Sequence, residues 1–283
     1  MGIKVIKQIS RKVVICVLAA GTSQMADAAP LASISVNDGH PVWEIARQLQ
    51  ERYGYAITYE DPRYSNDDDF EDVTLQVRKD LEKYPPGGAP KVIGMKVRSL
   101  TLAVPDSPGI SPQEMAGILQ RLVQSQETQG TGGRFRVVQT GNQFHIVPTA
   151  VRDRSGAWIL QNSILDIPIS LPLQGRAPGE MLKAVCEAVD AAAQVKIAIL
   201  SNFGGIAAHA TFNLGANHEP ARTVLMRALA LVSPNASWVI THDEANEYFL
   251  MITGYPLKAA AVPAASALPQ QLQPQVSPAA VSH

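Results

Sequence analysis

Residues 41–59 read Pro41-Val42-Trp43-Glu44-Ile45-Ala46-Arg47-Gln48-Leu49-Gln50-Glu51-Arg52-Tyr53-Gly54-Tyr55-Ala56-Ile57-Thr58-Tyr59. Val42, Ile45, Ala46 and Leu49 fall at i, i+3, i+4 and i+7, which predicts a helix with one buried stripe. Pro41 suits the first helical turn, where the N–H is spare and φ is held near −65°. After a turn at Gly54, Tyr55 to Tyr59 has strand composition. Ile34-Ser35-Val36 forms a strand entering the same helix.

Three more helices carry a proline at the start. Ser111-Pro112-Gln113-Glu114 is a capping box ahead of Met115, Ile118, Leu119, Leu122 and Val123. Pro178-Gly179-Glu180 precedes Met181, Leu182, Val185, Cys186 and Val189, and Asn217-His218-Glu219-Pro220 precedes Ala221, Val224, Leu225, Ala228 and Leu229. Strands bracket them. Val97 to Val104 enters the second helix, and Phe135-Arg136-Val137-Val138 and Phe144-His145-Ile146-Val147 form a hairpin through Gly141-Asn142. Ile164 to Leu171 enters the third helix and Val195 to Leu200 leaves it. Ala208 to Leu214 enters the fourth, and Trp238-Val239-Ile240 and Tyr248 to Ile252 form a hairpin around Asp243 to Asn246.

The order is β-α-β-β-α-β-β, written twice, over residues 31–149 and 163–254. This predicts an α+β protein of two tandem modules, helices packed on small mixed sheets. The first copy carries an insertion over 61–96, with an acidic run from Asp67 to Asp72. That run lacks the alternating ligands and central glycine of a calcium loop and reads as solvated.

Two helices framed by strands in this order, closed by a hairpin, resemble the short N-terminal domain of secretins and TonB-dependent receptors. The resemblance rests on Val42 to Leu49 with Gly54-Tyr55, Ala56 to Glu60, Gln113 to Val123 and Phe144 to Pro148. In the second copy it rests on Glu180 to Val189, Val195 to Leu200, Ala221 to Leu229 and Ser237-Trp238. It implies a periplasmic protein-interaction module without catalytic residues. No pore domain and no array of amphipathic barrel strands accompanies it here.

The N-terminal end agrees in compartment. Lys4, Lys7, Arg11 and Lys12 precede an apolar run from Val13 to Gly21, and Met25-Ala26-Asp27-Ala28 supplies small residues for a cut after Ala28. This is the pattern of a secretory signal over 1–28 and predicts a periplasmic or secreted protein. The apolar run is too short to span a bilayer. Without those residues the chain carries a net charge of −4 and no cationic footprint for nucleic acid. No later run is long enough for stable membrane insertion. Cys186 is the one cysteine left outside the signal, so no internal disulfide is expected; on the apolar face of a helix it reads as a small buried hydrophobe. Residues 256–283, rich in Ala, Pro and Gln, read as a disordered tail.

Chemistry-bearing motifs are missing. His40, His145, His209, His218, His242 and His283 form no metal-binding pair at helical spacing, and there is no nucleophile elbow or phosphate loop. Glu187 and Asp190 read as a solvated helix face. The expectation is a non-enzymatic interaction or scaffold protein of the bacterial cell envelope, with no cofactor or metal and with an envelope protein as partner. It would bind through free strand edges at Arg134 to Val147 and Trp238 to Ile252. Arg134, Arg136, His145, Trp238 and Tyr248 are the candidate surface residues. Two alternatives stand beside it: an envelope small-ligand or glycan binder, needing aromatics on one face, and an exported enzyme, needing a polar cleft between modules. A sheet shared by the modules marks a scaffold.

Overall fold

The tyrosine-rich strand after Gly54 turns out to be buried at every residue, and this organises the whole molecule. The computed structural model describes residues 31–130, 132–200, 210–233, 235–243 and 247–255. The expected signal (1–28), the expected tail (256–283) and most of the turn at 243–246 lie outside the described residues. The elements are β1 (Leu31–Asp38), α1 (Pro41–Tyr53), β2 (Ala56–Glu60), β3 (Phe70–Asp72), α2 (Thr74–Val77), β4 (Ile93–Met95), β5 (Arg98–Pro105), α3 (Pro112–Thr128), β6 (Gly133–Thr140), β7 (Gln143–Arg152) and β8 (Trp158–Leu160). They continue with β9 (Pro168–Arg176), α4 (Pro178–Ala193), β10 (Lys196–Ile199), β11 (Phe212–Pro220), α5 (Ala221–Val232), β12 (Ala236–His242) and β13 (Glu247–Gly254). The protein is α+β.

Each proline-led helix is present. Ser111 Oγ accepts from the Glu114 N–H at 3.2 Å and Glu114 returns a carboxylate to the Ser111 N–H at 2.7 Å, closing the capping box. Gly54 ends α1 at φ 72°, a left-handed conformation glycine adopts without penalty. At the corresponding end of α4, Gln194 takes φ 53°.

Two cores form. Ile45, Leu49, Ile57, Tyr59, Leu102, Met115, Leu119, Leu122, Phe144 and Ile146 belong to the first. Met181, Leu182, Val185, Cys186, Val224, Leu225, Leu229, Trp238, Ile240 and Leu250 belong to the second. Each fully buried Leu or Ile contributes about 1.5–3 kcal/mol relative to exposure. In each half an antiparallel ribbon, β1–β5 or β9–β11, packs on its two helices.

The larger sheet runs through both halves in the order β10-β13-β12-β2-β7-β6, with β8 paired to the far end of β7. Within each half the middle strand is parallel to one neighbour and antiparallel to the other: β2 and β6 flank β7, and β10 and β12 flank β13. The halves join where β12 lies parallel to β2, Val239 against Tyr59 and Ile240 against Glu60. These directions require β10 and β2 to run oppositely. The second half is therefore the first turned by half a revolution about a line crossing the strands and shifted by three strands. Because strand side chains alternate between faces, Tyr59 and Val239 enter the first core while Trp238 and Ile240 enter the second.

Two expected strands are redrawn, and elements not foreseen are added: the strand expected over Ala208–Leu214 starts at Phe212 and runs on to Pro220, with Ala208 and His209 outside the described residues. The strand expected over Ile164–Leu171 divides into a single 3₁₀ turn at Ile164–Asp166 and β9, which runs on to Arg176. β8 was not foreseen. The insertion is structured, with β3 and β4 paired antiparallel around α2.

Candidate interaction surface and the junction beneath it

Only part of the expected surface is at the surface. Arg136 is exposed and Arg134 partly so, both on β6 at one end of the sheet. Arg134 lies over the Trp158 ring, 4.2 Å from its centroid, and pairs with Glu127 at 3.1 Å. His145, Trp238 and Tyr248 are instead buried, at 0%, 2% and 1% exposure. The reason is the parallel contact of β12 with β2, which turns the expected free hairpin Trp238–Ile252 into the middle of the sheet. His145 stacks on Trp238 with ring centroids 5.4 Å apart, and Thr58 Oγ1 lies 2.8 Å from His145 Nδ1. Burial, then the Arg222 charge, pushes the His145 imidazole down to about 3.

Glu60, the last residue of β2, lies on the same face. Its carboxylate accepts from Arg222 Nη2 at 3.0 Å, Ser163 Oγ at 2.6 Å and the Ile164 N–H at 2.9 Å. Arg222, from the first turn of α5, also donates through Nε to Asp166 at 3.1 Å, and Asp166 in turn accepts from Arg136 at 2.9 Å. Burial raises the Glu60 pKa against the lowering effect of Arg222 and its hydrogen bonds. The network ties β2, the 160s linker, α5 and β6 together, and both central charges are under 10% exposed. Neither Glu60 nor Arg222 was singled out from the sequence. The near-continuous apolar runs Tyr55–Ile57 and Trp238–Ile240 were the available signal, since such runs mark strands buried on both faces.

A second carboxylate, Asp61, is fully buried where the chain leaves β2. It accepts from Tyr59 Oη at 2.7 Å, from the His242 N–H at 3.1 Å, and faces His40 Nδ1 at 3.2 Å. Burial disfavours the His40 cation, but Asp61 outweighs it and the pKa is raised.

The acidic run is not wholly solvated. Asp67 and Asp68 are exposed, but Asp69 is fully buried and accepts from Arg98 at 2.7 Å, Arg152 at 2.9 Å and the Gly132 N–H at 3.1 Å. An aspartate already held by two guanidinium groups anchors the insertion to β5 and β7. Among the described residues no cluster of three His, Cys, Asp or Glu is placed to hold a metal ion. Cys186 is buried, and burial pushes its thiol up to about 12, with Asp190 and Glu187 adding to it. Asp190 is not simply a solvated group: it accepts from the Ile197 N–H at 2.9 Å.

Three surface features remain. A cleft of about 610 Å³ lies where the insertion meets the second half, lined by Arg63, Tyr64, Phe70, Glu71, Arg154 and His242 among others. Among the described strands, the outer side of β6 is one unpaired end of the sheet. The outer side of β10 is the other, with a groove of about 470 Å³ between it and α4, lined by Lys183, Cys186, Asp190, Ile197 and Ile199. No helix among the described residues is long and apolar enough to cross a membrane. Comparison with family models, curated proteins and solved structures gave no match.

Proposed function

We propose that the chain is an exported, non-enzymatic interaction or scaffold protein of the bacterial cell envelope, built from two modules resembling the short N-terminal domain of secretins and TonB-dependent receptors. One observation supports this above the rest: ionisable groups at the join, Glu60, Arg222 and Asp166 among them, are taken up in holding the halves in one sheet. That sheet ends on β6 and β10, whose outer sides pair with no described strand. Open edges recruit extended segments through main-chain hydrogen bonds. The pattern of residues 1–28 adds the compartment.

The test uses the chain expressed whole in a bacterium and recovered from the envelope fraction. A mature N-terminus at Ala29 and retention of a specific envelope protein, lost when Gln139→Pro blunts β6, are the expected results. Failure to retain any partner across salt and pH counts against the reading. The cleft at Arg63, Tyr64, Phe70 and His242 favours the small-ligand alternative, for which the aromatics give little help: Trp238 is buried and Trp158 lies beneath Arg134.

A further inference from the structure

The join between the halves is a contact between two kinds of edge, and the described sheet presents both kinds again at its ends. Within the sheet, β10 holds the same place beside β13 that β2 holds beside β7. Ile57 pairs with Phe144 and Tyr59 with Ile146 in one half; Ile197 pairs with Tyr248 and Ile199 with Leu250 in the other. All of these side chains face their own core. By the same register β12 corresponds to β6, Ile240 to Val137 and His242 to Gln139. Thus β12 on β2 is a β6-type edge on a β10-type edge. The half-turn relating the halves, applied once more, brings the β6 of another copy alongside β10.

The backbone of β10 is prepared as that of β2 is. On β2 the outward N–H of Ile57 is taken by Gln50 from the preceding helix, at 3.0 Å, and its carbonyl accepts from Ser237 of β12. On β10 the N–H of Ile197 is taken by Asp190 from the preceding helix, at 2.9 Å. Leu200 donates inward to Leu250, so by alternation the N–H of Ile199 points outward, as a pairing strand needs. The side chains differ in an informative way. Glu60 meets Arg222 at the internal join; the corresponding residues at the ends are Leu200, which is 57% exposed, and Ala116, partly buried against the first core. An apolar pair there carries no buried charge to compensate.

We propose that this chain self-associates head to tail, the β6 edge of one copy adding in parallel to the β10 edge of the next, which extends the sheet as the internal join does. The proposal rests on the reading of the chain as an interaction protein and names its partner as a second copy. Such a contact is heterologous and does not close on itself, so it builds open chains and not only dimers.

Sedimentation of the whole-expressed protein over a concentration series tests it, with two single-edge variants. Leu200→Lys blunts β10 at an exposed side chain, and Gln139→Pro blunts β6 at an exposed position; circular dichroism checks that each is folded. The expected result is a ladder of species for the wild type, monomers for each variant alone, and a 1:1 dimer when the two are mixed, because each retains the edge the other lacks. A wild type that stays monomeric at all concentrations overturns the proposal. So does either variant dimerising alone, which indicates a symmetric contact, or a mixture that remains monomeric. If self-association fails while Gln139→Pro still loses a foreign envelope protein, the proposed function stands and this inference alone falls.

Discussion

Thr58 and His145 face each other across the β2–β7 pair, with Oγ1 2.8 Å from Nδ1, and the corresponding positions of the second half hold Ala198 and Phe249. The first half thus carries a buried polar pair where the second carries an apolar one. The difference has a thermodynamic signature. His145 is fully buried and its folded pKa lies near 3, below the unfolded value of about 6.5. The unfolded state therefore binds the proton, and stability present above about pH 6.5 is lost as pH falls toward 3, by about 1.4 kcal/mol per unit. The double variant Thr58→Ala/His145→Phe copies the second half and removes this loss. Whatever constant offset the substitutions introduce at neutrality, the stability difference measured by urea unfolding should move in the variant's favour by about 2 kcal/mol between neutral pH and about pH 5. Parallel pH profiles would show that His145 is not the group responsible.

Glu60 and Arg222 give a second test. Removing one partner strands a charge at under 10% exposure, and Glu60→Leu or Arg222→Met alone should each cost about 3–5 kcal/mol. The double variant should cost much less than the sum, because a buried ion pair replaced by apolar residues of similar volume is often neutral. Denaturant unfolding of all four proteins measures the coupling. Additive losses would mean that Glu60 and Arg222 act through Ser163 and Asp166 separately and not on each other.

How legible this was from sequence differs by level. The four helices follow from local facts, such as Pro41, the Ser111–Glu114 box and the spacing of Met181, Leu182 and Val185, and they are where the spacing places them. Cys186 is the core residue that its helix face implied. The join left only a short trace, the apolar runs Tyr55–Ile57 and Trp238–Ile240, and the residues beside them point the other way. Thr58 and Glu60 alternate with Ile57 and Tyr59, and alternation of polar with apolar residues ordinarily means a solvated face. Here that face is covered by α5 and the linker, from residues more than 100 positions away. Trp238 and Tyr248 failed as surface residues for the same reason: a parallel contact between strands 180 residues apart leaves no local period in either segment.

Asp69 was misread as part of a solvated run, and its environment leads to a third prediction. The carboxylate neutralises Arg98 and Arg152, at 10% and 13% side-chain exposure, and holds the Gly132 N–H. Asp69→Asn keeps the shape but leaves nearly buried Arg98 without its counter-charge and Arg152 with only the exposed Asp68 carboxylate at 3.9 Å, at a cost of about 3 kcal/mol. The insertion should loosen before the cores do. Limited proteolysis should cut first between Asp69 and Lys96 in the variant and not in the wild type, and a cleavage map unchanged by the substitution contradicts the anchoring role.

The last prediction concerns the two helix ends that differ by one residue type. Gly54 ends α1 at φ 72° and Gln194 ends α4 at φ 53°. A residue with a Cβ pays roughly 1–2 kcal/mol in the left-handed region, and glycine returns part of that gain as chain entropy in the unfolded state. Gln194 is exposed, and its role at the cap is made by its backbone N–H, which bonds the Asp190 carbonyl. Gln194→Gly should therefore raise stability by about 0.5–1 kcal/mol, and Gly54→Ala should lower it by at least as much. Thermal unfolding followed by circular dichroism reads both. An unchanged or lower midpoint for Gln194→Gly would show that the Gln194 side chain makes a stabilising contact that outweighs the strain of its backbone.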